Sequence, residues 1–428
     1  MALSEFALIK QYFAQATPTR YFAQGQTNAH QQVNEVITIG DDCAVLQIQP
    51  GYDLLVTTDT MVQGSHFYPE IHPYDLGYKS VITNLSDIVS CGGIPTWLSL
   101  ALTLPQAHPT WLEAFSAGIF DALNTYNVKL IGGDTVQGSE PSITMTAQGT
   151  VDQGKAFTRA GAKVGDRIYV TGTLGGAYAG FKLLEAMHNK AFANYTSSLT
   201  AFGPALEVGI SSQSIYQSAR FPLIQSSNTD YTCFMQEKNP SPAEQAFYQD
   251  LAQTLILKNL HPQTWVKLIQ RFHGYVNAAM DLSDGLYSDL RHILNASQVH
   301  AQLDLDALPA HPYLEPLEQL TDPEQILLFP ASIMALKGGE DYQILFTVPE
   351  SKAEEFTQVI TQAGLLEMIQ QIGTIVESKE NQAPITYYQN NQPVNLEEYI
   401  YEHLYERTQN AELAQQAASS LKFEHFTS

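Results

Sequence analysis

Residues 74–104, YDLGYKSVITNLSDIVSCGGIPTWLSLALTL, read as a helix, a break and a strand. Leu76, Val81, Leu85, Ile88 and Val89 recur at the helical period, Cys91-Gly92-Gly93 ends the helix, and 97–104 returns to β. Working outward, Phe6, Ile9 and Phe13 repeat at helical spacing after a Ser4 cap, 33–48 reads as strand, turn and strand, and 53–58 is a strand ending on Asp59. Downstream, 111–126 is helical and 129–131 and 142–151 are β, so the first third alternates as one α/β domain does. After a polar stretch, 154–166, a second start follows: strand 167–171, the turn Gly172-Thr173-Leu174-Gly175-Gly176, and a helix over 177–187. Neither G-x-G-x-x-G nor G-x-x-x-x-G-K-[ST] occurs, so that turn reads as a packing turn rather than a nucleotide loop. Residues 189–246 are rich in Ser, Gln and Asn and read as an insertion; 247–272 is helical, and 396–421 forms an extended helix-like tail. The expectation is an α/β (α+β) chain of two domains, 1–153 and 154–428.

Acidic clusters recur where apolar runs end or break: Gly40-Asp41-Asp42, Thr57-Thr58-Asp59-Thr60, Gly132-Gly133-Asp134, Asp281-Leu282-Ser283-Asp284 and Gly338-Gly339-Glu340-Asp341, with Ser86-Asp87 on the apolar helix. Any one Gly-Asp pair is an ordinary turn. Turn chemistry does not account for an aspartate on a helix or for two carboxylates three residues apart. Converging carboxylates suit hard cations, and Mg²⁺ in particular takes a few of them together with nucleotide phosphates. In 277–294 a short strand runs into an amphipathic helix, which places Asp281 and Asp284 near a helix start whose amides favour anions; a plain capping role for Asp281 or Ser283 is the alternative, and it can coexist with metal binding.

The chain has 428 residues, 44% hydrophobic and 15% charged, a globular composition. Lys plus Arg total 21 against 44 for Asp plus Glu, a net charge of −23. That balance disfavours nucleic-acid binding, which is built on basic side chains, and makes metal ions the bridge to any phosphate. Cys43, Cys91 and Cys233 lack zinc or disulfide spacing, no run is long enough for a membrane span, and the N-terminus lacks a secretory pattern; together these read as a cytoplasmic protein.

SEFALIKQYF (4–13), IGDDCAVL (39–46), TTDTMVQGSHF (57–67), YKSVITNLSDIVSCGGIPTWLSLALTLP (78–105), LIGGDTVQG (130–138), TRAGAKVGDRIYVTGTLG (158–175), MDLSDGLYSDL (280–290) and GGEDYQILFTV (338–348), in that order, resemble the thiamine-monophosphate kinase family. Its wider superfamily includes aminoimidazole ribonucleotide synthetase and selenophosphate synthetase. The resemblance implies a two-domain synthetase/kinase fold in which an N-terminal mixed sheet pairs across a homodimer, beside a C-terminal sheet-and-helix domain. It also implies transfer of a phosphoryl group from ATP to thiamine monophosphate, with several Mg²⁺ ions. On that basis Asp42, Thr57, Thr58, Asp59, Asp87, Asp134, Asp281 and Asp284 would hold metal. Gly133, Asp134, Arg159 and Ser283 would contact ATP, and His66, Glu340 and Phe423 the thiamine phosphate.

The match departs from the family at 259–265, NLHPQTW, where an Arg-Pro-x-Pro-Arg stretch is usual, and in the lengths of the insertion and the tail. An aminoimidazole ribonucleotide synthetase-like enzyme is the nearest alternative, and a non-catalytic nucleotide or metal binder the next. A selenophosphate synthetase would want an N-terminal reactive Cys, and no Cys precedes Cys43.

Overall fold

In the computed structural model, described residues are 8–14, 33–37, 39, 42–194, 234–237, 239–323 and 325–420. Phe423, Cys233 and most of the insertion lie outside them. The helix read from the opening stretch, α1, spans Pro73–Ser90. It starts where Pro73 presets the backbone and His72 Nδ1 accepts from the Tyr74 amide at 3.3 Å. Burial lowers His72 to about 4, so its ring stays neutral and can accept. α1 packs on α2 (Pro109–Tyr126) at a close crossing: a Cβ on Gly77 would stand 2.2 Å from Phe115 O, and one on Gly118 1.9 Å from Tyr74 O.

These two helices cover one face of a four-stranded sheet ordered β3-β6-β4-β5, formed by Tyr52–Val62 (β3), Ile94–Leu104 (β4), Lys129–Gln137 (β5) and Ser142–Asp152 (β6). Val81, Ile82, Leu85, Leu98, Phe115, Ile119 and Met145 fill the core between helices and sheet. β1 (Val33–Ile37) and β2 (Val45–Ile48) form a separate antiparallel pair, and Leu46 and Ile48 pack with Trp97 and Ile131.

The sequence reading ends strands at the acidic clusters; the structure runs β3 and β5 through theirs, while β8 ends on Asp281 as expected. β3 continues past Asp59 because Thr58 and Thr60 pair their hydroxyls with Thr146 (2.9 Å) and Thr144 (2.8 Å) across β6. β5 likewise carries Gly133 and Asp134 in parallel register with Leu100 and Ala101.

By contact density the chain divides into two units. The first comprises the described parts of Met1–Ala156 and His188–Thr229, with Thr264–Arg271; the second comprises Phe157–Met187, the described parts of Asp230–Gln263, and of Phe272–Ser428. The second unit holds a seven-stranded mixed sheet. In it β7 (Arg167–Thr171) lies between β10 (Ile344–Val348) and β11 (Ile369–Val376), and the edge on the β10 side is β8 (Ala278–Asp281). α3 (Gly176–Asn194) and α4 (Pro242–Leu260) lie among its helices. α4 begins earlier than the apolar pattern suggests because Ser241 and Glu244 form a capping box, with Pro242 at the first helical position. It ends at Leu260, well short of the expected 272. The tail folds as two helices, Leu396–Thr408 and Ala411–Ser419. No helix among the described residues is long and apolar enough to cross a membrane.

Candidate active site

In the first unit the pleat of β3 sorts its residues by face. Thr57 and Asp59 point toward α1; Thr58 and Thr60 point to the opposite face. Thr57 Oγ1 donates to Asp87 Oδ2 at 2.5 Å, and the Asp59 amide donates to Asn84 Oδ1 at 3.1 Å. Asn84 Nδ2 donates back to Ser80 O at 3.0 Å, so one face of α1 presents Ser80, Asn84 and Asp87 to the strand. Ser86, in contrast, turns into the core.

Burial, with the neighbouring Asp87 charge, pushes the Asp59 carboxyl up to about 6. A carboxyl that resists ionising beside a second, charged one is an arrangement a divalent cation relieves, and the donors here are all oxygen, as Mg²⁺ requires. Among the described residues no three carboxylate, imidazole or thiol groups converge into a ready-made cage. The set fits an ion that takes its remaining ligands from phosphate.

The other residues named for this unit stand apart from that set. Thr58 faces away, bonded to Thr146. Asp134 is exposed on β5, one Oδ1 accepting from the Thr135 amide at 2.8 Å, and pairs across to Ala101, Thr144 and Thr60 on the outward face of the sheet. Gly133 precedes it where a Cβ would lie 1.9 Å from Leu100 O, so the approach of β4 admits only glycine. Asp42 is exposed in the bend before β2. His66 is exposed in the turn after β3, and its Nδ1 accepts from the Val62 amide at 3.2 Å.

The second unit joins two motifs that are over fifty residues apart in sequence. The Glu340 amide donates to Ser283 O (2.8 Å), the Tyr342 amide to Leu282 O (3.0 Å) and the Leu282 amide to Gln343 O (2.8 Å). Asp281, Ser283, Asp284 and Glu340 therefore belong to one rim. The approach is tight: a Cβ on Gly285 would meet Lys337 O at 2.4 Å, and one on Gly339 would meet Ser283 O at 2.4 Å. Glu340 and Tyr342 take left-handed φ values of 66° and 50° to make the turn. Arg159 is exposed and stands apart from this rim: its carbonyl accepts from Ser297 Oγ at 3.3 Å, at the far end of the helix that follows DLSDG, while the carbonyl of its neighbour Thr158 accepts from the Ala279 amide of β8 at 2.9 Å.

Two expectations change here. The helix after DLSDG, α5 (Leu286–Ser297), is capped neither by Asp281 nor by Ser283: Asp289 Oδ2 accepts from the Asp284 and Gly285 amides, both at 3.1 Å. Those amides are therefore bonded within the chain, to a carboxylate one turn into the helix. Burial, with the Asp284 charge, pushes Asp289 up to about 7. The acidic cluster at 338–341 also divides in role. Asp341 is buried and accepts from the Gly175 amide at 2.6 Å and the Ala177 amide at 3.0 Å, which fixes the glycine turn before α3. Desolvation raises it to about 7. Those turn amides are bonded to protein, in keeping with a packing turn.

Sequence reasoning missed Asn84, Asp289 and the role of Asp341. Asn84 had a signal, since it lies three residues before Asp87 and so on nearly the same helix face.

The chain matches the families described as AIR synthase related protein, N-terminal domain, over residues 40–151, and C-terminal domain, over 253–385. It is 37% identical over 350 residues to the thiamine-monophosphate kinase of Escherichia coli, covering 82% of this chain and 84% of that one. With the enzyme of the same name from Haemophilus influenzae it is 36% identical over 355 residues, 83% and 84% of the two chains. Among solved structures, the thiamine-monophosphate kinase of Stenotrophomonas maltophilia superposes with a TM-score of 0.61 at 29% identity, covering 84% of this chain and 92% of that one. The structure described as AaThiL complexed with AMPPCP and TMP gives 0.57 at 25% identity, covering 84% and 90%.

Proposed function

The chain belongs to the thiamine-monophosphate kinase family, and from that membership we infer that it transfers the γ-phosphoryl group of ATP to the phosphate of thiamine monophosphate, forming thiamine diphosphate and ADP. The observation that carries this reading in the structure is the Thr57, Asp59 and Asp87 set, in which neighbouring carboxylates are held ready for a cation by hydroxyl and amide partners. The acceptor phosphate has a second pKa of about 6, so its attacking oxygen is ionised at neutral pH and needs no general base. What the protein must supply is alignment of two anionic groups and neutralisation of the charge spreading over the transferred phosphoryl.

We assign the metal-holding role to Asp42, Thr57, Thr58, Asp59, Asp87, Asp134, Asp281 and Asp284, with Thr58 turned to the outward face in this chain. Bound Mg²⁺ would bridge phosphate oxygens and offset their charge. Gly133, Asp134, Arg159 and Ser283 orient ATP; the Arg159 guanidinium suits phosphate oxygens bidentately. His66, Glu340 and Phe423 orient the acceptor, with Phe423 outside the described residues. ATP dependence and three cysteines without disulfide spacing fit a cytoplasmic enzyme.

The outward face of the four-stranded sheet supports a homodimer. Leu54, Val56 and Val136 are exposed there beside Thr58, Thr60 and Ala101, with Asp134 among them. A second copy of the same sheet is the complementary occupant. A monomer in solution at assay concentrations would contradict that pairing.

The function is tested by offering thiamine monophosphate, unphosphorylated thiamine and formylglycinamidine ribonucleotide as competing acceptors with ATP and Mg²⁺. Only the monophosphate is expected to be consumed. Consumption of the ribonucleotide alone would move the chain to the purine branch of its superfamily.

A further inference from the structure

Where the family's arginine-rich stretch is replaced by NLHPQTW, the first residue reaches the rim of the second unit. Asn259, near the C-terminal end of α4, is buried, and its Nδ2 donates both to Glu340 Oε2 at 2.6 Å and to Ala177 O at 3.2 Å. Both partners are oxygen acceptors, so the amide nitrogen, not its oxygen, must face them. Ala177 lies in the first turn of α3, whose opening amides are bound by Asp341, the residue after Glu340. Glu340 itself is held in a left-handed backbone conformation by its amide bond to Ser283 O. One side chain thus ties α4, α3 and the 338–343 loop together at the carboxylate that faces the acceptor in the functional reading above.

We propose that Asn259 is a positioning residue for the phosphate acceptor, holding the Glu340 carboxylate in the one rotamer that meets the cationic thiamine moiety. The proposal rests on the assignment of Glu340 to that substrate. A hydrogen bond to a carboxylate is among the stronger kinds, and a buried one fixes direction as well as distance. Losing it lets the carboxylate leave its place without altering the groups that hold ATP.

Asn259→Leu keeps the side-chain volume and removes both donors. The expected result is a KM for thiamine monophosphate raised about tenfold, with kcat and the KM for ATP changed less than about twofold. In a Glu340→Gln background the same change is expected to add less than about twofold, because it acts through that carboxylate. Asn259→Ser, whose hydroxyl is too short to span to Glu340, should give the same pattern and serves if the leucine variant does not fold. A purely structural role predicts lower kcat from fewer folded molecules with KM unchanged, and that result overturns the proposal. If Glu340→Gln raises the acceptor KM while both Asn259 variants leave it alone, the proposal fails and the Glu340 assignment stands. If Glu340→Gln leaves that KM unchanged, both fail; absence of turnover in the unmodified chain overturns the functional reading with them.

Discussion

Replacing Asp59 with Asn is expected to lower kcat/KM for phosphoryl transfer at least about a thousandfold, the scale of losing a group that holds charge-neutralising metal at the reacting phosphates. The fold should survive, because Asn is isosteric and the backbone amide at 59 keeps its bond to Asn84. The apo protein should be no less stable at pH 7, since the change removes a carboxylate whose ionisation is opposed by burial and by Asp87. The pH dependence gives a second readout. Burial and the Asp87 charge raise the Asp59 carboxyl in the folded apo protein to about 6, from about 3.9 for an unperturbed aspartate. The folded state therefore binds more protons than the unfolded state between those values, so this group's contribution to apo stability falls as pH rises through about 6. Mg²⁺ must displace the same proton, so its apparent affinity should be about tenfold weaker at pH 5 than at pH 7 and level off above that. Thermal unfolding with and without Mg²⁺ across that range checks the sign. The Asn variant should lose the dependence, and retained turnover in it would sink the metal assignment.

Gly118→Ala is expected to destabilise the first unit by about 3 kcal/mol, although helix propensity alone would favour alanine by about 1 kcal/mol. The steric effect wins because the new Cβ would stand 1.9 Å from Tyr74 O and 2.8 Å from Tyr74 C, backbone atoms that cannot swing aside. Gly77 repeats the contact from the other helix, 2.2 Å from Phe115 O, so the crossing can relax only by parting α1 from α2. Since α1 carries Asn84 and Asp87, that movement should cost activity as well as stability. A fall in Tm of about 6–12 °C is the scale for a unit of this size. An unchanged or raised Tm would show that the helices are not locked at this crossing.

The helix and strand of residues 74–104 were legible because their period is set by burial on one face. Strand ends were less so. The Thr-rich continuation of β3 past Asp59 depends on hydroxyl partners in β6, and those lie far along the chain. In the candidate site, Thr57, Asp59 and Asp87 could be named from the family resemblance, but the strand pleat that separates Thr58 from them emerges only once the register with β6 is known. The joining of Ser283 to Glu340 is invisible to spacing, since it follows from β8 and β10 lying side by side. Asp341 and Asp289 were likewise not singled out by spacing: both bind backbone amides at helix starts.

The most direct measurement is a time course of product formation with ATP, Mg²⁺ and thiamine monophosphate, with thiamine diphosphate and ADP separated and quantified together. The account predicts that the two appear in equal amounts from the first time point and that neither forms without Mg²⁺. ADP released without thiamine diphosphate, or no consumption of either substrate, would contradict it.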